Sequence, residues 1–154
     1  MNIIIRKAKL EELSVIQDLN HDLFISDSKN DTLLDLEWSY KEGSKYFQRR
    51  ISGEKGICFV AKLNGEVVGY LAGAMSGLEP WRKESRAELE NMYVKDEYRG
   101  KGIGTKLIEE FTRWARENGA QHIFLSVYSK NSSAQKFYER NKFTTTNLFM
   151  EKET

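Results

Sequence analysis

Residues 88–105 constrain the fold more than any other part of this 154-residue chain. The segment begins with residues typical of a buried strand: Leu89, Met92, Tyr93 and Val94. After a polar corner, glycines at positions 100, 102 and 104 open an amphipathic stretch that continues at helical spacing to Asn118. A strand, a glycine-rich loop and a helix in this order predict a backbone that a ligand can approach closely.

The charge of the loop predicts that this ligand is an anion. Arg99 and Lys101 are positively charged, and a helix N-terminus adds partial positive charge and unpaired N–H donors. The spacing differs from the P-loop of nucleoside triphosphatases, because residues 104–106 read Gly-Thr-Lys. It also differs from the dinucleotide fingerprint, whose last glycine is replaced by Thr105. The pattern that is present is Arg-x-x-Gly-x-Gly, formed by Arg99, Gly102 and Gly104. Its alternative interpretation is a plain glycine-rich turn.

Composition limits the class of protein. The length suits one domain over residues 1–154, and 40% hydrophobic residues allow a substantial core. A net charge of +1 predicts neither a nucleic-acid nor a membrane partner, and the apolar run at residues 3–5 is too short for a signal peptide, so we expect a cytoplasmic protein. The lone Cys58 is expected to be a buried thiol, and His21 and His122 are too far apart in sequence to predict a metal site.

Hydrophobic periodicity predicts an α/β fold with a mixed, mostly antiparallel sheet and helices on both faces. The unit from 86 to 128 should form one parallel strand pair with a right-handed crossover. The first strand is predicted from Ile3 to Arg6 or Lys7. Further strands are predicted at 56–63, 66–75 (after an Asn64-Gly65 turn), 86–94, 121–128 and 143–151. Helices are predicted at 13–23, from Ser44 to Gly53, at 103–118, and after a cap at Asn131 or Ser132, with a polar loop at 26–32.

Two motifs resemble the GNAT family of N-acetyltransferases. Leu89-Glu90-Asn91-Met92-Tyr93-Val94, followed by Tyr98-Arg99-Gly100-Lys101-Gly102-Ile103-Gly104, is similar to the central motif of the family, and is closest to its polyamine and diamine branch. Asn131-Ser-Ser-Ala134-Gln-Lys-Phe137-Tyr138 resembles the Asn-x-x-Ala-x-x-Phe/Leu-Tyr helix. The resemblance implies a three-layer fold whose parallel strands splay after Val94. The region before Gly56 has no specific match, and the short tail after Tyr138 is expected to hold one strand where the family usually has two.

The resemblance implies direct transfer of an acetyl group from acetyl-CoA to an amine. The pantetheine arm would pair with the backbone of Met92 and Val94, and the N–H of Tyr93 or Val94 would face the thioester oxygen. The implied cofactor-binding residues are Met92, Tyr93, Val94, Arg99, Gly100, Lys101, Gly102, Ile103, Gly104, Thr105, Asn131 and Ser133.

Three residues are candidates for catalysis. The resemblance implies that Tyr138 protonates the leaving thiolate; its alternative is an aromatic side chain packed in the core. Glu88 and Glu90 are two apart on a strand and therefore share a face. A carboxylate there can bind the ammonium group and accept its proton, although both could instead be solvated surface charges.

The resemblance also implies a homodimer, because many relatives are dimeric. The acceptor stays open among small amines, polyamines, aminoglycosides and peptide amines. The alternative function is a catalytically weak acetyl-CoA-binding sensor module.

Overall fold

The computed structural model describes residues 2–154, and its sheet follows the order of the chain. The five strands are β1 (Ile3–Lys7), β2 (Gly56–Leu63), β3 (Glu66–Gly77), β4 (Arg86–Val94) and β5 (His122–Phe124). Neighbours from β1 to β4 are antiparallel, whereas β4 and β5 are parallel. This confirms the predicted mixed sheet with a single parallel pair.

Helices cover both faces of the sheet. They are α1 (Leu13–Asp27), α2 (Glu42–Ser52), α3 (Ile103–Glu117) and α4 (Ser132–Arg140). Short 3-10 turns occupy Leu10–Glu12, Trp38–Tyr40 and Asp96–Tyr98. Buried side chains of α1 and α2 pack on one face of the sheet, and those of α3 pack on the other.

The alternation of side chains along β2 explains why the core has two halves, one on each face of the sheet. Ile57 and Phe59 pack with α3, whereas Cys58 and Val60 pack with α1 and α2. Successive side chains of a strand point to opposite faces, so a strand covered on both sides has no polar face. Cys58 is buried, as predicted, and burial raises the pKa of its thiol.

An irregularity in β4 shapes the functional region. Ala72 lies opposite Asn91, but Gly73 lies opposite Leu89. Glu90 is therefore an additional residue in β4 that has no partner in β3. Such a bulge bends the strand and increases its twist. Gly73 permits this arrangement, because a Cβ atom there would lie 2.5 Å from the Phe111 ring.

Four predicted features are wrong. α2 begins at Glu42, so Ser44 lies inside the helix and does not cap it. α1 continues to Asp27, where a loop was predicted from residue 26. β5 has only three residues instead of the predicted 121–128, and residues 143–151 form no strand. Both segments have strand-like sequences, but a strand exists only where a neighbouring backbone supplies its hydrogen bonds.

Among residues 2–154, no helix combines the length and hydropathy that a membrane-spanning segment requires.

Candidate active site

A cleft opens where β4 and β5 separate. The two strands pair only between Arg86–Glu88 and His122–Phe124, and the rest of β4 is bonded to β3 alone. We expected separation after Val94; it begins just beyond Glu88, because the bulge at Glu90 bends β4. In the described part of the chain, the β5-facing edge of β4 is therefore not paired with another strand beyond Glu88, and an extended ligand can bind there as an added strand.

The glycine loop closes one end of this cleft. Gly100 and Gly102 have φ angles of +75° and +80°, a region that side chains rarely adopt. α3 begins at Ile103 with Gly102 as its N-cap and no side-chain cap, so its first N–H groups keep their capacity to bind an anion. A Cβ atom on Gly104 would lie 2.8 Å from the Phe137 ring, so this glycine lets α3 approach α4.

The two basic residues of the loop have different surroundings. Arg99 donates from Nε to the Val94 carbonyl at 2.9 Å, and its Nη1 pairs with Asp96 at 3.1 Å. Its guanidinium also lies 5.1 Å from the centre of the Tyr93 ring. Lys101 is exposed and has no ion-pair partner among residues 2–154. Arg99 thus stabilises the corner after β4, whereas the charge of Lys101 remains available to bind a ligand.

Asn131 forms the start of α4. Its Oδ1 accepts hydrogen bonds from the Ala134 N–H and the Ser133 hydroxyl, both at 3.1 Å. The prediction of an N-cap at Asn131 is therefore confirmed. Its side-chain amide N–H₂ donates to no group in the described residues, so it can still bind a ligand.

Tyr138 lies on α4 and is mostly buried. Its ring packs edge-on against Phe137 and Phe143, with centroids 5.2 and 5.6 Å away. Burial and the negative charge of Asp27 raise the pKa of Tyr138 to about 12. The hydroxyl therefore stays protonated at neutral pH, and it has no hydrogen-bond partner within residues 2–154.

Glu88 and Glu90 share a face of β4 but differ in their contacts. Glu90 accepts from Arg50 at 2.6 and 3.1 Å and from the Tyr46 hydroxyl at 2.8 Å. Glu88 makes no hydrogen bond among the described residues, and burial together with the charge of Glu90 raises its pKa. Glu88 is therefore the unpaired carboxylate of the two.

A polar network under β4 was not predicted from the sequence. The Tyr70 hydroxyl donates to Asn91 Oδ1 at 2.5 Å and accepts from Asn20 Nδ2 at 2.9 Å. Asn91 Nδ2 in turn donates to the Tyr46 hydroxyl at 2.8 Å, which leads to Glu90. The network joins α1, α2, β3 and β4 and stabilises the bulge. Its one signal in the sequence was Asn20, a polar residue at an apolar helical position.

Two carboxylates at the end of α1 were also missed. Asp27 is half-buried; burial raises its pKa, and its charge acts on Tyr138. Asp31 accepts a hydrogen bond from the Tyr128 hydroxyl at 3.0 Å. The charge of Asp27 makes the neighbourhood of Tyr138 favourable for a cation. No group of three or more His, Cys, Asp or Glu side chains suited to hold a metal ion occurs in residues 2–154.

Comparison with known proteins gives one consistent result. The family model described as "Acetyltransferase (GNAT) family" matches residues 16–143. An uncharacterized N-acetyltransferase of Methanocaldococcus jannaschii is 32% identical over 98 residues, which cover 64% of this chain and 43% of the relative. An uncharacterized N-acetyltransferase of Archaeoglobus fulgidus is 32% identical over 107 residues, covering 69% of this chain and 73% of the relative. The matched segment thus spans less than half of the first relative.

A solved structure has the same fold as this chain. A predicted acetyltransferase with acetyl-CoA from Clostridium acetobutylicum superposes with a TM-score of 0.79 at 20% sequence identity. The superposition covers 99% of this chain and 96% of the other.

Proposed function

Because the chain belongs to the acetyltransferase (GNAT) family, we propose that it transfers an acetyl group directly from acetyl-CoA to a primary amine. The observation that carries the proposal is the free edge of β4 beside the uncapped N-terminus of α3. The free edge of β4 suits an extended chain with amide groups, and the N-terminus of α3 suits a diphosphate. Acetyl-CoA contains these two groups one after the other.

The donor would lie along this surface. Its diphosphate binds the first N–H groups of α3, around residues 102–105, with Lys101 as an additional charge. Its pantetheine arm pairs with the backbone of Met92 and Val94, and Asn131 and Ser133 border it from α4. The Clostridium acetobutylicum neighbour, whose structure holds acetyl-CoA, supports this donor.

The acceptor would approach from the side of Glu88. An alkylamine has a pKa of about 10.4, so only about one molecule in ~10³ is neutral at pH 7. A free carboxylate with a raised pKa can bind the ammonium group and accept its proton. Glu90 keeps its predicted role in acceptor binding, but its pairing with Arg50 favours Glu88 as the base. Asp27 adds negative potential that favours small cationic amines, polyamines or lysine-containing peptides.

Acetyl transfer replaces the thioester with an amide. The amine nitrogen attacks the thioester carbon, an N–C bond forms, and the C–S bond breaks. The N–H of Tyr93 or Val94 stabilises the negative oxygen of the intermediate. The ammonium group loses two protons: Glu88 accepts the first and passes it to solvent, and the second leaves the nitrogen of the intermediate for solvent. The Tyr138 hydroxyl donates a proton to the sulfur as the C–S bond breaks and regains one from solvent, so one proton is released overall. The products are an amide and the free thiol of CoA.

The direct test is thiol release from acetyl-CoA in the presence of a diamine, a polyamine, an aminoglycoside and a lysine peptide. We expect release above the hydrolysis rate with at least one amine, together with one acetylated amine per thiol. Acetyl-CoA binding without amine-dependent release across the panel would instead support the sensor module.

A second test separates the loop assignment from backbone strain. Gly102→Val should weaken acetyl-CoA binding at least tenfold, about 1.4 kcal/mol, because a side chain would stand between the diphosphate and the N–H groups. Gly119→Val is the matched control, since Gly119 has a φ of +89°, open space around its Cβ position, and a place at the opposite end of α3. Unchanged affinity in folded Gly102→Val, measured by calorimetry, would contradict the assignment.

A further inference from the structure

Arg50 reaches across the sheet through a passage that small residues leave open. It belongs to α2, yet its guanidinium bonds to Glu90 on β4. A Cβ atom on Gly56 would lie 2.7 Å from Arg50 Cδ, so β2 has no side chain at the point where Arg50 passes. Gly56 pairs with Ala74, and Ala74 pairs with Glu88. Because paired residues point to the same face, this row of the sheet holds no large side chain between α2 and Glu88.

The bond at the end of this passage is bidentate and shielded from solvent. Nε and Nη2 of Arg50 donate to the two carboxylate oxygens of Glu90 at 2.6 and 3.1 Å, and the two side chains are only 17% and 23% exposed. The Arg50 guanidinium also lies 4.8 Å from the centre of the Tyr46 ring, and the Tyr46 hydroxyl donates to the same carboxylate at 2.8 Å. A forked pair of this kind fixes the orientation of the carboxylate, so Glu90 is held against α2.

The two carboxylates of β4 lie on the same face of the sheet. Leu89 packs towards α3, so Glu88 and Glu90 on either side of it face α2. Asn91 also bonds on that side, to Tyr70, because the additional residue of the bulge interrupts the alternation. Glu88 makes no hydrogen bond among the described residues. Without Arg50, Glu90 would therefore be a second unpaired carboxylate two residues from Glu88.

We propose that Arg50 is a positioning residue that selects the base of the reaction. It holds Glu90 against α2, so that Glu88 alone accepts the proton of the acceptor amine. Arg50 itself contacts neither the acceptor nor acetyl-CoA. The role of Glu88 rests on the proposed acetyl transfer, whereas the effect of Arg50 on the Glu88 carboxyl group does not.

The charges around Glu88 give the sign of that effect. Burial and the charge of Glu90 raise the pKa of Glu88, whereas the charges of Arg50 and Arg86 lower it. β5 places the uncharged Phe124 opposite Glu88. Other titratable side chains on this face are Tyr46 of α2, Cys58 of β2, Tyr70 of β3, Tyr93 of β4 and Asp27 of α1. Removing Arg50 deletes a positive charge and leaves the charge of Glu90 uncompensated, and both changes raise the pKa of Glu88.

A carbon-13 NMR titration of the Glu88 carboxyl group measures this effect without any reaction. We expect the signal, assigned with Glu88→Gln, to titrate at higher pH in Arg50→Met than in the wild type. Arg49→Met is the matched control, because Arg49 is an exposed neighbour on α2, and it should leave the titration unchanged. If Arg50→Met does not fold, Arg50→Gln removes the charge but keeps an N–H donor for Glu90.

The titration can contradict the proposal in two ways. An unchanged Glu88 titration in a folded Arg50 variant would overturn it. An equal displacement in Arg49→Met would also overturn it, because the effect would then belong to the charge of α2 and not to the pair with Glu90.

A cycle of variants tests the selection of the base. Glu88→Gln should lower kcat/KM by about 10²-fold or more when Arg50 is present, since general bases contribute about 10²–10⁴-fold. In Arg50→Met the Glu90 carboxylate is released and can accept the proton instead, so the same substitution should cost about tenfold less. Equal costs in the two backgrounds would show that Arg50 is only structural, and the proposal would fall.

The donor site supplies the control for this cycle. The KM for acetyl-CoA should stay within about twofold of the wild type in Arg50→Met, because Arg50 lies outside the residues proposed to bind the donor. A large rise in this KM would mean that the variant distorts β4 as a whole and would count against a positioning role. If the wild type shows no amine-dependent thiol release, the proposed function is contradicted, and the NMR titration still decides whether Arg50 acts on Glu88.

Discussion

At the scale of single residues, neighbours on one strand have different chemistry. Glu88 and Glu90 share a face of β4, yet Arg50 and Tyr46 occupy the Glu90 carboxylate while Glu88 keeps its lone pairs free. A carboxylate already in a bidentate pair is a weaker proton acceptor than a free one with a raised pKa. The sequence positions alone thus identified Glu88 and Glu90 as a pair, and the contacts in the structure distinguish the two carboxylates.

Tyr138→Phe tests the proposed acid. The phenylalanine keeps the ring packing against Phe137 and Phe143 but removes the hydroxyl. General acids contribute about 10²–10⁴-fold, and a thiolate is a tolerable leaving group, so we expect a loss of roughly 10²-fold in kcat. The affinity for acetyl-CoA should change by less than about 1 kcal/mol.

The controls for this variant are a thermal melt and Tyr40→Phe, which removes a hydroxyl bonded to Asp18 far from α4 in sequence. Since the pKa of Tyr138 is about 12, the wild-type rate should show no loss from Tyr138 ionisation between pH 7 and pH 9. Wild-type kcat in a folded Tyr138→Phe would remove this residue from the mechanism.

At the scale of elements, α2 holds the bulge of β4 in place. Arg50 and Tyr46 both contact Glu90, and Tyr46 also contacts Asn91, the next residue of the strand. The bulge lies where β4 leaves β5, so these contacts stabilise the strand at the point where the cleft opens.

Arg50→Met should lower the free energy of unfolding by about 2 kcal/mol, because Glu90 loses its partner while it stays mostly buried. The estimate is below that for a fully buried pair, since both side chains keep some solvent contact. Arg49→Met, an exposed neighbour on α2, should change stability by less than about 0.5 kcal/mol. Equal urea midpoints for the two variants would contradict the role assigned to the pair.

At the scale of the whole molecule, the site joins parts that are distant in sequence. The proposed donor site involves β4, α3 and α4, whereas Asp27, the acidic group whose charge acts on Tyr138, comes from α1. The single-domain organisation, the cytoplasmic location and the homodimer stay predictions.

Acetyl-CoA should stabilise the whole fold, because it binds surfaces that exist only when these elements are assembled. At a concentration 100 times Kd the expected gain is about 2.7 kcal/mol. For a chain of this size that corresponds to a rise in Tm of about 5–10 °C. A melt with acetyl-CoA measures this rise, free acetate is the control, and an unchanged Tm at saturating acetyl-CoA would contradict the cofactor assignment.

The sequence by itself determined the features that depend on local backbone conformation. The Asn64-Gly65 turn, the glycine loop and the Asn131 cap all appear where they were predicted, with φ angles of +50° and +86° in the turn. Each depends on what a few adjacent residues allow, so no distant contact is needed to predict it.

Tertiary structure decided which of the predicted groups meet and which edges are paired. Arg50 lies 40 residues from Glu90 and Tyr128 lies 97 from Asp31, and no local pattern signals either contact. No local pattern signals the conformation of residues 143–151 either. Their composition suits a strand, but no other strand pairs with them in the described residues. Side-chain preference is a property of the residue, whereas pairing is a property of two segments, and only the folded molecule brings both segments together.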